Sequence, residues 1–274
     1  MRLVTVRRAG GASRAGRVEG DAVVLLDAPD VGALLAAGGD AGADGPTVPL
    51  SGADLAPVVP RPPKIACVGL NYRTHIAESG LPAPTAPNWF AKFATSLVGP
   101  YDPIVLPAAS HAVDWEGELA VVIGRPVRHA TAAEAFAAIA GFCVLDDVTA
   151  RDLQFRTDQW LAGKTCDRTM PLGPALVTPD EVGDGGGLRL TTTVDGDVVQ
   201  GADTSDLVFG PVDLVQDLSA LVTLEPGDVI ATGTPGGVGV ALQPPRFLLP
   251  GTEVRVAVEG LGEVVNRCVA EAEA

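Results

Sequence analysis

A chain of 274 residues with 47% hydrophobic side chains has enough apolar material for a large core; it is neither disordered nor a small stapled scaffold. A net charge of −15 argues against nucleic acid and anionic membranes as partners, and an anionic small molecule then needs a local cation, from a metal or a few placed Lys and Arg. Cys67, Cys143, Cys166 and Cys268 form no CxxC pair and no stretch approaches ~20 apolar residues, so free thiols, a cytoplasmic setting and no leader or membrane span are expected.

Met1–Val6 and Ala22–Leu26 read as strands and Val31–Ala37 as a short helix. A Gly/Asp/Pro-rich passage follows, then the tract Val58-Val59-Pro60-Arg61-Pro62-Pro63, a linker or a rigid entry into the next unit. The expected division is a small module at residues 1–60 and a larger unit at 61–274. Lys64–Leu70 is a buried-looking strand that leads to His75 and Glu78, whose spacing of three puts both on one helix face. They form a candidate acid–base dyad, the glutamate setting the imidazole tautomer; an incidental surface pair is the alternative. Gly80, Pro82, Pro84 and Pro87 flank this helix, which could serve as a lid over residues 72–87.

Ile104–Pro107 is strand-like, Thr131–Ala140 an alanine-rich helix, and Gly141–Leu145 a strand ending at Asp146-Asp147, with Thr149 a possible N-cap just beyond. Trp160–Pro174 carries Lys164 and a Pro-Leu-Gly-Pro turn. From Leu188 the pattern becomes an antiparallel meander, with an Asp-Gly hairpin turn at Asp195-Gly196. Val212–Leu221 looks helical, and the strand Val229–Thr232 feeds a glycine loop at 233–239 whose backbone N–H groups can approach a ligand closely. That loop lacks the Lys-Ser/Thr of a phosphate-binding P-loop. Val254–Val258 and Glu263–Val269 close the chain as a strand pair, and His111 and His129 read as surface or loop residues.

The chemistry centres on Asp114–Ile123 (DWEGELAVVI), read as a strand. Alternation places Glu116 and Glu118 on one face of a largely buried strand, where two carboxylates repel and lose hydration. A divalent cation is a natural compensation, and solvation at an exposed strand end is the alternative. An aspartate from Asp146-Asp147 could complete the cluster or simply cap a turn.

Five pieces occur in the order found in the fumarylacetoacetate hydrolase family: GLNYRTHIAE (69–78), DWEGELAVVIG (114–124), LDDVTARDLQ (145–154), GKTCDRTMPLGP (163–174) and PGDVIATGTPGGVG (226–239). The chain resembles that family over nearly all of residues 64–268. The resemblance implies an α+β, predominantly β fold: a mixed β-sheet roll with short flanking helices, a small N-terminal accessory domain, and assembly as a homodimer. It implies Mg²⁺ or Mn²⁺ on Glu116, Glu118 and Asp147. Asp147 is chosen over Asp146 because the family's ligand immediately precedes the hydrophobic-Thr/Ser-Ala-Arg segment. It gives His75 and Glu78 the role of a dyad that activates water or moves a proton, and sets Lys164 against a substrate oxyanion or carboxylate. Arg151, Gln154 and Thr234 fall at further substrate-side positions. Where the founding hydrolase branch has an additional metal-binding Asp this chain has Asn71, as in the acylpyruvase, decarboxylase and isomerase branches. The activity implied is metal-dependent carbon–carbon hydrolysis of a 2,4-dioxo acid such as an acylpyruvate, a small 2-oxo acid being the partner. Decarboxylation or isomerisation of an oxo-dicarboxylate uses the same enolate chemistry, and a catalytically silent member is the remaining alternative.

Overall fold

The computed structural model describes residues 1–80, 82 and 84–274. The chain opens with β1 (Arg2–Arg7), β2 (Ser13–Glu19), β3 (Ala22–Leu25), α1 (Val31–Ala36) and β4 (Thr47–Pro49). Next come β5 (Ile65–Gly69), α2 (Arg73–Ser79), β6 (Asn88–Lys92), β7 (Leu97–Val98), β8 (Ile104–Leu106), β9 (Val113–Asp114) and β10 (Gly117–Ile123). The central part continues with α3 (Ala132–Ala138), β11 (Ile139–Asp146), β12 (Thr149–Ala150), α4 (Arg151–Gln154), α5 (Leu161–Lys164), β13 (Met170–Val177) and α6 (Pro179–Val182). It ends with β14 (Arg189–Val194), β15 (Asp197–Asp203), α7 (Pro211–Leu221), β16 (Val229–Ala231), β17 (Glu253–Val258) and β18 (Gly262–Ala270).

Two sheets dominate. The larger has the order β4-β3-β2-β1-β13-β11-β10-β16-β5-β6, with β7 also pairing β13; the smaller runs β15-β14-β17-β18-β8. Parallel pairs (β16 with β5, β18 with β8, β13 with β7) sit among antiparallel ones, so the mixed, mostly β architecture expected from the sequence is what forms. β10 lies inside the larger sheet and is buried along its whole length. Alternation sends Leu119, Val121 and Ile123 into the core shared with the smaller sheet, where they meet Leu190, Val254 and Val256. Ala120 and Val122 face a second core that includes Leu3, Leu34, Val58 and Leu172. That second core joins the first sixty residues to the rest, and β1 pairs directly with β13. Val58 and Val59 are buried, so the proline tract enters the next unit as a packed segment.

Three local expectations change. Pro171–Pro174 do not turn but run within β13. Pro174 falls where the ladder with β11 is irregular, Val144 opposing Gly173 and Phe142 opposing Val177, so a bulge absorbs its missing N–H. Thr149 does not cap a helix: it pairs with Asp114 across β12 and β9, and its hydroxyl donates to the Asp147 carbonyl at 2.8 Å, while Ala150 occupies the N-cap position of α4. The expected strand Asp114–Ile123 breaks at Trp115-Glu116, between β9 and β10. Leu81 and Ala83, inside the expected lid, lie outside the described residues.

Candidate active site

The break before β10 positions the site. Asp114 ends β9 and is wholly buried, and its carboxylate accepts from the backbone N–H groups of Trp115, Gly239 and Val240 and from Arg151 Nε at 2.8 Å. Four donors on one carboxylate pin the entry of β10 against the glycine loop. Gly117, the next step, has no room for a side chain: a Cβ there would lie 2.2 Å from Thr192 Oγ1. Its N–H donates to Gln200 Oε1 and its carbonyl accepts from Thr234 Oγ1. Gln200 Nε2 in turn donates to Thr234 Oγ1 and to the Pro235 carbonyl. The glycine loop is thereby fixed to the backbone between Glu116 and Glu118.

On this frame one carboxylate oxygen from each of Glu116, Glu118 and Asp147 comes within 4.8 Å of the others, and all three residues are buried. Their neighbours explain how such a cluster survives burial. Lys164 Nζ bridges Glu116 Oε2 at 2.5 Å and Asp147 Oδ2 at 2.8 Å. Lys92 Nζ holds the other Asp147 oxygen at 2.7 Å, and Arg151 Nη1 holds Glu116 Oε1 at 2.6 Å. Asp146 does not join them; its Oδ1 accepts the Glu116 N–H at 2.8 Å and its Oδ2 has no partner.

Burial pushes the Glu116 carboxyl up, but Lys164 and Arg151 outweigh it and hold it at about 2. Among the described residues Glu118 has only the Gly233 N–H, at 2.7 Å. Burial first, then the charges of Asp147 and Glu116, raise it well above the carboxylate range. Burial likewise lifts Asp146 to about 7. Lys164 is kept charged because the pull of Asp147 and Glu116 overcomes its desolvation.

The residues fit a hard divalent cation on two grounds. The donor set is all carboxylate, the chemistry of magnesium or manganese rather than of zinc. Among the described residues five buried carboxyls (Asp114, Glu116, Glu118, Asp146, Asp147) are also packed with three buried cations (Lys92, Arg151, Lys164); Glu118 and Asp146 have no cationic partner and are raised by burial, and a bound cation would let Glu118 ionise.

His75 and Glu78 share a face of α2, His75 Nδ1 lying 3.1 Å from Glu78 Oε2, while Glu78 Oε1 accepts the Gly237 N–H at 3.0 Å. Asp206 anchors the first turn of α2 by accepting from the N–H and hydroxyl of Thr74. A cavity of about 280 Å³ joins these groups: its lining includes the polar side chains of His75, Glu78, Glu116, Arg151, Gln154, Lys164 and Thr234 together with apolar ones such as Leu70, Phe155, Trp160 and Val240. All three candidate substrate-side residues thus reach it, in different states. Gln154 Oε1 accepts from Arg151 Nη1, the Thr234 hydroxyl is spent on bracing Gly117, and Arg151 Nη2 is buried without a partner.

Asn71 is taken out of any ligand role. Its amide donates to the Phe209 and Thr232 carbonyls and accepts from the Phe209 N–H. His111 and His129 are exposed, as expected, although His111 pairs with Asp152 at 3.0 Å. Lys92, Asp114 and Gln200 escaped the sequence reading. Lys92 and Gln200 lie on other strands, and no spacing along the chain links them to the cluster. Asp114 stood inside the DWEGE motif, two residues before Glu116.

Comparison with known proteins identifies the family. A family profile described as the C-terminal domain of fumarylacetoacetate hydrolase matches residues 64–269. A mitochondrial oxaloacetate tautomerase of Homo sapiens is 50% identical over 226 residues, 82% of this chain and 72% of that protein. Among solved structures, a fumarylacetoacetate hydrolase from Exiguobacterium antarcticum superposes with a TM-score of 0.89 at 32% identity, covering 99% of this chain and 100% of that one. A 5-carboxymethyl-2-hydroxymuconate delta-isomerase from Mycobacterium smegmatis gives 0.83 at 36%, again over 99% and 100%. With three buried carboxylates on one frame and the matched sequence running through all of them, the chain belongs to the fumarylacetoacetate hydrolase family, as an enzyme of that family.

Proposed function

We propose that the protein is a divalent-cation-dependent enzyme that moves a proton between the enol and keto forms of a small 2-oxo acid, with oxaloacetate as the reference substrate. The observation that carries this is that His75 and Glu78, the candidate proton-transfer pair, line the same cavity as Glu116, one member of the three-carboxylate cluster. The half-identical tautomerase supports it over carbon–carbon hydrolysis, the first expectation from the sequence.

Glu116, Glu118 and Asp147 would hold Mg²⁺ or Mn²⁺, which supplies Lewis-acid stabilisation of the 2-oxo oxygen when bound. Everything else is the work of side chains. Arg151 Nη2, the unpaired donor, binds the substrate carboxylate and fixes the plane of the 2-oxo acid. Two of the three N–H groups of Lys164 are committed to Glu116 and Asp147, and the third faces negative charge developing on the oxygen. His75, its tautomer set by Glu78, removes the proton at C3 or returns it. Gly237 N–H keeps Glu78 in place for that exchange.

Hydrolysis of an acylpyruvate remains a second reading, favoured by the structural likeness to the Exiguobacterium hydrolase; it needs the same dyad to act on water instead of C3. Enol-oxaloacetate and acetylpyruvate, each with Mg²⁺ and with EDTA and followed by NMR, separate the two. The expected result is EDTA-sensitive enol–keto conversion of oxaloacetate without release of acetate from acetylpyruvate. Acetate and pyruvate from the second substrate, with no acceleration on the first, would establish the hydrolase instead, and carbon dioxide from the first the decarboxylase.

A further inference from the structure

The helix that carries His75 and Glu78 is short and thinly packed. α2 has seven residues, too few to hold as an isolated helix, and among its described side chains only Ile76 is buried. Its orientation therefore depends on polar contacts at its two ends. At the far end Glu78 Oε1 accepts the Gly237 N–H, a contact made by the dyad itself. The near end lacks the usual device: its N-cap is Tyr72, whose side chain accepts nothing from the first turn. Asp206 supplies that cap from 132 residues away in the chain. Its Oδ2 accepts the Thr74 N–H at 3.0 Å and the Thr74 hydroxyl at 2.8 Å.

Asp206 is itself firmly mounted. It ends the turn Thr204–Asp206, whose start is braced by Asp203 Oδ1 accepting the Ser205 N–H at 2.8 Å. The hydroxyl of buried Thr204 donates to the Gly185 carbonyl at 2.7 Å and accepts the Leu188 N–H at 2.9 Å. Just beyond the turn Leu207 bridges Tyr72, and the Val208 N–H donates to the Asn71 carbonyl at 2.7 Å. Arg73 Nη1 adds a bond to the Leu207 carbonyl at 2.9 Å. The turn follows β15, whose Gln200 braces the glycine loop that holds Glu78. Both ends of α2 are thus anchored from one strand of the smaller sheet.

Resting on His75 and Glu78 as the proton-transfer pair, we propose that Asp206 is a positioning residue for that transfer: through its cap on Thr74 it sets the angle at which His75 meets Glu78 and the substrate. His75 directly follows Thr74, so a first turn that frays carries the imidazole out of line. Asp206 does not line the cavity, and its effect on the reaction passes through the helix alone.

The test compares Asp206→Ala, Asp206→Asn and His75→Ala in the full chain with Mg²⁺. It reads kcat and KM on enol-oxaloacetate and, without substrate, the imidazole nitrogens by ¹⁵N NMR. The chain has three histidines, and the signals lost in His75→Ala assign His75. In the native chain neutral His75 is expected to carry its proton on Nδ1, facing Glu78. Asp206→Ala is expected to lower kcat about tenfold or more, with KM and the Mg²⁺-induced rise in Tm unchanged and the two His75 tautomers mixed. Asp206→Asn keeps an acceptor oxygen for Thr74 and is expected to stay within about threefold of the native kcat, with the Nδ1–H form retained. If Asp206→Ala does not fold, Thr74→Val, which deletes the hydroxyl bond at an exposed position, is expected to show the same changes in smaller measure. A native kcat in Asp206→Ala, a lowered kcat with the His75 tautomer intact, or a loss equally deep in Asp206→Asn overturns the inference and leaves the dyad in place. A native chain silent on oxaloacetate, or turnover that survives His75→Ala, overturns the proposed function and this inference with it.

Discussion

Lys92, Arg151 and Lys164 make the buried carboxylates tolerable. A buried ion pair adds little beyond its own desolvation, but removing one partner strands a charge in the core. Lys92 holds Asp147 Oδ1 and the Val148 carbonyl with no exposure of either charged side chain. Lys92→Met is therefore expected to lower stability by about 3 kcal/mol, read as a shift of the urea midpoint, with added Mg²⁺ recovering part of it. The dyad behaves differently. His75 and Glu78 line the cavity but belong to no buried ion network. His75→Ala should leave the Mg²⁺-induced rise in Tm unchanged and reduce turnover by about 10²-fold or more. Near-normal turnover would take His75 out of the mechanism.

At the scale of elements, the entry into β10 sets the spacing of the two glutamates, Glu116 just before the strand and Glu118 within it, and Gly117 is its narrow point. Gly117→Ala forces a methyl group onto Thr192 Oγ1 and toward Val256 Cγ1, 2.9 Å away. A loss of about 1–3 kcal/mol is expected from such overpacking, with weakened Mg²⁺ binding as the glutamates part; a variant that binds Mg²⁺ normally would mean the spacing is set elsewhere. How much of this the sequence disclosed follows from range. Glu116 and Glu118 were legible because alternation is a local rule, and His75 with Glu78 because three residues is nearly one helical turn. Asp147, Lys164, Arg151, Gln154 and Thr234 came from the resemblance; the structure brings the last four to one cavity with Glu116 and clusters Asp147 with Glu116 and Glu118. Lys92 and Gln200 could not be read, since their partners are 55 residues away for Lys92 and 83 and 34 for Gln200. The Pro-Leu-Gly-Pro stretch misled because proline marks a turn and an irregular ladder equally well, and only the pairing of β11 with β13 tells them apart.

Taken whole, the molecule buries the site where the larger sheet meets the loops that follow β5, β11 and β16. The first sixty residues belong to this construction through the β1–β13 pairing and the core of Leu3, Val31 and Leu34 with Leu172 and Leu176. Deleting residues 1–60 is expected to uncover that core and the edge of β13, giving a chain that aggregates or unfolds at a lower temperature; an equally stable truncation would make the segment dispensable. No helix among the described residues is long and apolar enough to cross a membrane. The homodimer implied by the family resemblance predicts twice the mass of the chain in light scattering. Electrostatics ties these scales together: burial and the charges of Asp147 and Glu116 raise the Glu118 carboxyl well above its ordinary range, so loading a cation is expected to displace a proton from it. Affinity for Mg²⁺ is therefore expected to rise with pH across the region below the raised Glu118 value and to flatten above it.

The most direct measurement is calorimetric titration of Mg²⁺ into the metal-stripped protein, in two buffers of different ionisation enthalpy, for the native chain, Glu118→Ala and His75→Ala. The account predicts one site per chain with release of a proton, lost in Glu118→Ala and kept in His75→Ala. Equal binding in all three would contradict the placing of a cation on Glu116, Glu118 and Asp147.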